Sequence, residues 1–488
     1  MLPVLTPAEM AARDAAAIAG GVSEATLVDR AGGAVARSAR RLLGGAYGRR
    51  VVIVCGGGNN GADGRVAGRR LAGWGARVAR FDLAGRGDRA GADRAPLDRS
   101  GLDRALGRAD LAVDAMFGTG FRGPLEGDAA WAAGALTAAR CPVLAVDIPS
   151  GVDGETGAVR GPAVEAAATV CLAALKPGLV LYPGAALAGD VAVADIGIDP
   201  HTPAASLGVT EEADVAAWLP GRSSESHKWS VGGVYVVGGS QGMTGAVMLS
   251  SRAALRAGAG IVVAGLPGEA AARASGGEVI TRSLPATSSG ALDEGAAKEV
   301  LDGLEKFRAL IVGPGLGRAA GTVAAVRRLV AEAPVPLVLD ADGLNALDGD
   351  LDILARRPAA TVVTPHAGEY ARLAGEKVGD DRVAAARRLA ERAGAIVVLK
   401  GSRTVVADPT GRAAVNVTGG PWLATAGTGD VLSGIVGALA ALGLPAFRAA
   451  AAGAWIHGRA ADAAGHAGLV AGDLIDALPT VLASLAAG

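Results

Sequence analysis

The stretch VVIVCGGGNNGADG, residues 51–64, decides the fold class of this chain. A short β-branched run is followed by glycines, two asparagines and an aspartate, and residues 65–74 then have the character of a helix. A strand that passes through a glycine-rich loop into a helix is the repeating unit of a parallel sheet flanked by helices. Such a loop either binds a ligand beyond the strand or is a tight turn capped by asparagine.

The same alternation continues along most of the chain. Strands are predicted at residues 51–54, 77–83, 111–115, 142–148, 168–172 and 191–194, and again at 233–237, 261–264, 309–312, 337–340, 361–364 and 396–399. Residues 199–209, DPHTPAASLGV, interrupt the pattern and are typical of a linker. We therefore predict two α/β domains: an N-terminal Rossmann-like, three-layer α/β/α domain (1–205) and a C-terminal α/β domain (211–488) with a long helical region after Thr428.

Composition narrows the class of function. The 488 residues carry 47 basic and 48 acidic side chains, so no net charge favours nucleic acid or anionic lipid. The N-terminus lacks the pattern of a signal peptide, and the longest uncharged stretch, residues 431–447, contains Pro445 and is too short to span a bilayer. We expect a cytoplasmic protein that binds neither nucleic acid nor membrane.

Two residue types give no sign of a metal centre. Cys55, Cys141 and Cys171 lie in or beside apolar strand-like runs without C-x-x-C spacing, which favours reduced cysteines in the core of a cytosolic protein. Zinc-ligand spacing is also missing among the histidines. The histidines interpreted as incidental are His201, His227, His457 and His466.

In the first domain, two carboxylates close predicted strands. Asp114 precedes the loop MFGTGFRGP (116–124), and Asp147 begins DIPSGVDG (147–154). Together with the loop after residue 54 they predict one polar cleft, and a buried carboxyl there would have either a partner cation or a raised pKa. The alternative is that each aspartate caps a turn.

In the second domain, the most informative segment is ATAGTGDVLSG, residues 424–434. Small residues opening a long helix leave several N–H groups unpaired, which predicts an anion hole suited to a phosphoryl group. Asp430 at its edge could take a proton from an attacking hydroxyl, or it could merely cap the helix. His366 and Glu369 follow a strand, where Glu369 could orient Mg²⁺-bound water, unless the pair is exposed without a role.

The first-domain motifs N-N-G-A-D (59–63), G-T-G-F-R-G-P (118–124) and D-I-P-S-G-V-D-G (147–154) resemble the NAD(P)H-hydrate epimerase family. The resemblance implies interconversion of R and S hydrates, substrate contact by Asp147, and a potassium ion held by Asn60, Asp114 and Ser150. Epimerisation requires a transient loss of configuration, and a carboxylate with a tuned pKa can shuttle the proton, for which Asp147 is the candidate. Implied substrate contacts are Asn59, Asn60, Gly61, Ala62, Asp63, Gly118, Thr119, Gly120, Phe121, Arg122, Gly123 and Pro124. Ala62 stands where the family more usually has glycine, so the loop would differ locally if that position needed a positive φ.

The second-domain motifs resemble the ribokinase-like superfamily, and within it the ADP-dependent NAD(P)H-hydrate dehydratase branch, over roughly residues 215–485. The resemblance implies Mg²⁺, and Asp430 as the group that activates the substrate hydroxyl. Implied ADP contacts are Lys400, Gly401, Ser402, Arg403, Thr404, Gly427, Thr428 and Gly429, and implied substrate contacts are Ala246, Gly317 and His366. Ala367 replaces the family's usual proline without loss of a functional group.

Together the two halves resemble bifunctional NAD(P)H-hydrate repair enzymes, whose ligands are NAD(P)H hydrates and ADP, and we expect a homo-oligomer. Two other interpretations stay open at this point. One is a ribokinase-like kinase that makes a stable phosphorylated vitamin precursor. The other is a non-catalytic nucleotide-binding N-terminal module attached to an active C-terminal half.

Overall fold

The structure is a computed structural model that describes residues 1–83, 97–221, 225, 227–274 and 277–486. The chain forms two compact units, Pro3–Leu207 and Gly208–Gly488, and the second also includes Met1–Leu2. Among the residues described, no helix combines the length and the apolar character needed to cross a membrane.

The N-terminal unit contains a parallel sheet with helices on both faces. After β1 (Leu2–Val4), its strands are β2 (Arg50–Cys55), β3 (Arg77–Asp82), β4 (Leu111–Ala115), β5 (Val143–Val146), β6 (Ala168–Leu172) and β7 (Asp190–Ala194). Over the described residues the sheet order is β3-β2-β4-β5-β6-β7, and all these pairs are parallel. The helices are α1 (Pro7–Ala19), α2 (Glu24–Leu42), α3 (Asn59–Gly73), α4 (Arg99–Leu106), α5 (Gly127–Thr137), α6 (Pro177–Val180) and α7 (Gly184–Leu187).

Strand β2 shows how this unit is layered. Its side chains alternate between the two faces, as in any strand. Val51 and Ile53 pack into the core shared with α2 and α3, while Val52 and Val54 pack into the core shared with α4 and α5. A strand that is apolar on both faces is a central strand of a three-layer sandwich, and the predicted α/β/α architecture is confirmed.

The C-terminal unit is built on a larger, mixed sheet. Its strands are β8 (Leu207–Val209), β9 (Gly233–Val237), β10 (Ile261–Pro267), β11 (Ile280–Leu284), β12 (Ala309–Val312), β13 (Leu337–Leu339), β14 (Thr361–Val363), β15 (Ile396–Leu399), β16 (Val405–Ala407) and β17 (Ala413–Val415). In the part of the chain that is described, the order is β1-β8-β17-β16-β15-β14-β13-β12-β9-β10-β11. Pairing is parallel from β11 to β15 and antiparallel from β15 to β17.

Helices α10, α18, α19 and α20 pack together on this sheet and share its main core. The helices of the unit are α8 (Glu212–Trp218), α9 (Lys228–Val231), α10 (Thr244–Arg256), α11 (Ala270–Arg273), α12 (Ala296–Asp302), α13 (Ala320–Glu332), α14 (Asp342–Asn345), α15 (Asp352–Ala355), α16 (Ala367–Ala374), α17 (Arg382–Ala393), α18 (Thr428–Ala441), α19 (Ala446–Ala464) and α20 (Ala471–Ala486). The approach of α10 to α18 is so close that a Cβ on Gly434 would lie 2.1 Å from the Ser250 carbonyl oxygen.

Several predictions about local structure are wrong. The stretch 199–209 is not simply a linker, because its last three residues form β8, and the Arg13 guanidinium donates to backbone carbonyls of its first half, including that of Asp199. The prediction of a long helical region after Thr428 is confirmed, and the region consists of three helices, since Gly443 at φ +93 and Pro445 separate α18 from α19. Of the cysteines predicted to be core residues, Cys141 is only partly buried; all three are free.

The helix predicted at residues 65–74 begins six residues earlier, at Asn59, so the asparagines form its first turn instead of a loop. The N-cap is Gly58, and Gly61 allows the turn to lie against the end of β2, because a Cβ there would be 1.9 Å from the Gly56 carbonyl oxygen. Ala62 has helical geometry and its N–H bonds to the Gly58 carbonyl, so this position does not need glycine.

Replacing Gly61 with alanine is expected to destabilise the N-terminal unit by about 2 kcal/mol or more, because the new methyl group would meet rigid backbone. Gly58→Ala is the matched control, since a Cβ at that position meets no atom within 4 Å and its φ is −92. Hydrogen exchange of the β2 amides in the full chain measures the difference. Equal protection in the two variants would contradict the close approach of α3 to β2.

Candidate active sites

A cavity of about 1060 Å³ opens in the N-terminal unit beyond the carboxyl ends of β2, β4 and β5. The predicted site residues that line it are Asn59, Asn60, Asp63, Gly118, Thr119, Gly120, Phe121, Arg122, Pro124 and Asp147. The predicted residues that do not line it are Gly61, Ala62, Gly123, Asp114 and Ser150. Gly61 and Ala62 instead lie in the helical turn that presents the Asn59 and Asn60 side chains.

Asp147 lies directly after β5, in the left-handed region at φ 66. Its Oδ1 accepts a hydrogen bond from the Leu172 backbone N–H at 3.1 Å and forms an ion pair with the Lys176 ammonium. Lys176 is almost fully buried and also donates to the Leu172 carbonyl at 2.7 Å. Burial alone would lower the pKa of Lys176, but the Asp147 charge raises it above its ordinary value. Lys176 is therefore charged at neutral pH.

Lys176 and Asp14 line the same cavity, and neither was among the candidate residues from sequence. One signal could have found Lys176: the chain has only six lysines, and this one lies four residues beyond a predicted strand. Asp14 comes from α1, which sequence motifs do not connect to the cavity. Burial raises the pKa of Asp14, with a smaller opposing effect from Lys176.

Asp63 is an aspartate of this cavity whose acidity is strongly altered. It projects from the second turn of α3 and is 5% exposed. Burial, followed by the charges of Asp147 and Asp14, raises the pKa of Asp63 to about 8. This carboxyl group is therefore largely protonated at neutral pH, whereas a neighbouring carboxylate is paired with a lysine.

Asp114 is not a wall of the cleft, contrary to the sequence prediction, because it is completely buried behind the cavity. Its carboxylate accepts hydrogen bonds from Ser150 Oγ at 2.7 Å and Ser150 N at 2.8 Å, and from Met116 N at 3.2 Å. Burial raises the pKa of Asp114 to about 6, although these hydrogen bonds act to lower it. Asn60 lies nearby, donating to the carbonyls of Phe117 at 2.9 Å and Val146 at 3.1 Å.

The second site lies at the start of α18. Gly427 is its N-cap at φ +89, and Thr428 and Asp430 belong to the first turn. No capping bond from the Asp430 carboxylate is found among the described residues, so the interpretation of Asp430 as a helix cap is wrong. His457, interpreted from sequence as incidental, is bonded through Nε2 to the Thr428 carbonyl at 2.9 Å. Burial lowers the pKa of His457 to about 4, so the ring is neutral and donates this bond.

Three charged side chains act on Asp430: Asp340 and Lys400 directly follow β13 and β15, and Glu369 lies in the first turn of α16. Lys400 Nζ lies 2.8 Å from Asp340 Oδ1 and 3.7 Å from Glu369 Oε2. Burial and the charge of Asp340 raise the pKa of Asp430 to about 7, although Lys400 opposes them. Asp340 was missed from the sequence, where it is one of two acidic residues in VLDADGLNAL.

His366 and Glu369 are not an exposed pair without a role, because together they cap α16. His366 Nδ1 accepts from Gly368 N at 2.9 Å, and Glu369 Oε2 accepts from His366 N at 2.8 Å. Glu369 is 6% exposed. Its position beside Lys400 is thus fixed by the helix cap before any ligand binds.

The other predicted residues lie in the connection from β15 to β16, in the first turns of α10 and α18, and in the loop after β12. Residues 400–404 connect β15 to β16, where Arg403 has φ 64, and a Cβ on Gly429 would lie 3.5 Å from Lys400 Nζ. Ala246 lies in the first turn of α10. Gly317, at φ +73, donates from its N–H to Asp342 at 2.9 Å.

Known proteins match both halves. A family described as NAD(P)H-hydrate dehydratase matches residues 234–480, and one described as YjeF-related protein N-terminus matches residues 24–178. A bifunctional NAD(P)H-hydrate repair enzyme of Moorella thermoacetica is 42% identical over 492 aligned residues, covering 94% of this chain and 92% of the relative.

Two solved structures match the C-terminal unit. A Bacillus subtilis ADP/ATP-dependent NAD(P)H-hydrate dehydratase, co-crystallised with ATP and Mg²⁺, is 29% identical with a TM-score of 0.50, covering 57% of this chain and 98% of that one. A ribokinase-like superfamily protein from Enterococcus faecalis, 23% identical, has a TM-score of 0.50 over 58% of this chain and 98% of its own.

The fold and the two sites define a multifunctional nucleotide-binding enzyme with a ribokinase-like C-terminal unit. Its N-terminal unit carries the domain described as YjeF-related protein N-terminus. The chain belongs to the family of bifunctional NAD(P)H-hydrate repair enzymes, which combine an epimerase domain with a dehydratase domain.

Proposed function

We propose that residues 1–205 interconvert the R and S epimers of NAD(P)H hydrate, and that residues 211–488 use ADP to dehydrate the S epimer to NAD(P)H with release of AMP and phosphate. The observation that carries the proposal is Asp430, a partly buried carboxyl group with a pKa of about 7 in the first turn of α18 beside Lys400. A group that is half ionised at neutral pH is suited to accept a proton from a hydroxyl.

At the C-terminal site, Asp430 accepts the proton of the substrate hydroxyl as the oxygen attacks the β-phosphoryl group of ADP. The N–H groups opening α18 stabilise the charge on the transferring group, and AMP leaves. The lone pair of the ring nitrogen then expels phosphate, and loss of a proton from the adjacent carbon restores the dihydronicotinamide. Contacts to ADP are assigned to residues 400–404 and 427–429, and contacts to the substrate to Ala246, Gly317 and His366.

At the N-terminal site, the hydrated ring carbon must lose and regain its configuration. Asp147 lines the cavity and its carboxylate is ion-paired with Lys176, which places a proton acceptor at the substrate. The asparagines at the start of α3 and the loop after β4 provide amide and backbone groups that can hold the nucleotide. The large cavity suits a dinucleotide.

Both proposed metal ions have oxygen donors available. Asn60, Asp114 and Ser150 cluster with the carbonyls of Phe117 and Val146, a donor set suited to K⁺. Glu369 would hold Mg²⁺ through water. An Mg²⁺ ion bound to the nucleotide would neutralise charge on the phosphates. Within the described residues no group of three acidic, histidine or cysteine side chains forms a protein-only metal site.

The proposal is tested by incubating the purified chain with separated R and S hydrates, ADP and Mg²⁺. We expect reduced nicotinamide absorbance to return from both epimers. Accumulation of a stable phosphorylated alcohol without elimination would identify a kinase instead, and return from S alone would show that the N-terminal unit is a binding module. Replacing ADP with ATP tests the preferred nucleotide. The cytoplasmic location and homo-oligomeric state stay predictions.

A further inference from the structure

The carboxyl group of Asp63 lies in the N-terminal cavity without a polar partner. It lines the cavity while being 95% buried, and no hydrogen bond or ion pair to it is found among the described residues. Its backbone is firmly placed, because α3 packs so closely on α2 that a Cβ on Gly32 would lie 2.7 Å from the Asp63 carbonyl oxygen. A buried, unpaired carboxyl group that faces a ligand cavity is costly unless a ligand uses it.

Asp147 lines the same cavity, but its carboxyl group has polar partners, unlike that of Asp63. Lys176 and the Leu172 N–H both bond to its carboxylate, so its negative charge is compensated. Asp63 has no such compensation, and the charges that act on it are the carboxylates of Asp147 and Asp14. The remaining charged side chains that line the cavity are Glu24, Arg122, Glu126 and Asp128.

We propose that Asp63 is a second catalytic group of this site: it donates a proton to the hydroxyl that leaves the hydrated ring carbon, while Asp147 accepts a proton from the water that returns. The inference rests on the proposed epimerase function and adds a division of labour within it. Two carboxyl groups whose surroundings separate their protonation states are the usual arrangement for an acid and a base in one site.

The steps balance. The carbon–oxygen bond breaks as the Asp63 proton joins the departing hydroxyl, which leaves as water, and the ring-nitrogen lone pair forms a carbon–nitrogen double bond. Water then adds to the other face of this planar cation, and its surplus proton passes to Asp147. One proton has left Asp63 and one has arrived at Asp147, so exchange with solvent resets the site. The reverse reaction uses the same groups with their roles exchanged.

The acidity of Asp63 supports this role. Burial and the carboxylates of Asp147 and Asp14 raise its pKa to about 8, so the group holds its proton at neutral pH. A donor works only while protonated, and R-to-S conversion by the native enzyme is therefore expected to fall as pH rises above about 8. The same shift predicts that the folded N-terminal unit loses stability as pH rises from about 4 to about 8, because only the unfolded Asp63 ionises freely in that window.

The test compares Asp63→Asn, Asp63→Glu and the control Asp29→Asn, whose carboxylate is mostly exposed on α2. For each full-length variant, the rate of conversion of R hydrate to S is measured from about pH 6 to about pH 10. We expect Asp63→Asn to lose at least about 100-fold and its residual rate to lack the decline at high pH. Asp63→Glu should recover part of the rate together with the decline, and Asp29→Asn should match the native enzyme. Hydrogen exchange of the β2 amides confirms that the N-terminal unit is folded.

Isotope content gives an independent test. In H₂¹⁸O, each epimerisation by the native enzyme is expected to place one ¹⁸O on the ring carbon, after correction for the reaction without enzyme. Retention of ¹⁶O, or a folded Asp63→Asn variant with native rate and native pH profile, would overturn the assignment of Asp63 while leaving the epimerase function intact. A native enzyme that does not convert R to S would instead overturn the proposed function.

Discussion

Asp430→Asn is expected to lower kcat/KM for dehydration of the S hydrate by about 1000-fold, which corresponds to about 4 kcal/mol of transition-state stabilisation. Asparagine has the same shape but cannot accept the proton of the substrate hydroxyl. Because the R epimer reaches NAD(P)H only through the same step, return of absorbance from both hydrates should fail. Epimer composition, measured directly by chromatography, should still equilibrate in this variant.

The pH profile shows whether Asp430 acts as a base. A base works when ionised, and its pKa of about 7 predicts that dehydration by the native enzyme rises with pH through about 7. The residual rate of Asp430→Asn should lack that rise. Asp476→Asn, an exposed aspartate on α20, serves as the matched control and should resemble the native chain. If Asp430→Asn kept more than a tenth of the native rate, Asp430 would not be the base.

Asp147→Asn is expected to abolish use of the R hydrate, with at least about a 1000-fold loss, and to leave turnover of the S hydrate unchanged. The substitution also leaves the Lys176 ammonium buried without its counter-charge, which typically costs about 3 to 5 kcal/mol. Loss of activity alone could therefore come from unfolding of the N-terminal unit.

The double variant Asp147→Asn, Lys176→Met separates the two causes. Methionine removes the uncompensated charge and nearly fills its volume, so this variant should regain stability in hydrogen exchange and still fail to convert R hydrate. Recovery of R conversion in the double variant would mean that Asp147 only neutralises Lys176. Loss of S turnover in Asp147→Asn would show that the two units do not divide the work as proposed.

Much of the fold could be predicted because the decisive signals are local. Buried parallel strands are short apolar runs, so β4, β6, β9, β12 and β15 were predicted with the bounds that the structure shows. The hairpin of β16 and β17 was missed, since VVA and AAV are too short to be distinguished from loop by pattern. Such strands form only because β15 offers an edge on which to pair.

The candidate sites were predicted less completely, for a related reason. Asp147 follows a strand and Asp430 lies in the first turn of a helix, each within a recognisable sequence motif. Both lie at the candidate sites that these motifs predict. Lys176, Asp14 and His457 reach the sites through tertiary packing, which one sequence does not display. Their chemical state is equally hidden, because burial and neighbouring charges set it.

The first turn of α3 has a thermodynamic consequence for ligand recognition. Asn59 and Asn60 are held by a regular helix and not by a loop, and Ala62 favours that helix over the unfolded chain more than glycine would. The amide groups proposed to contact the nucleotide are therefore preorganised, and we expect little conformational entropy to be lost when the dinucleotide binds. Hydrate binding to the native chain and to Ala62→Gly can be compared by calorimetry. We expect the entropy of binding to be less favourable for Ala62→Gly, because removal of the methyl group leaves more conformational freedom to be lost.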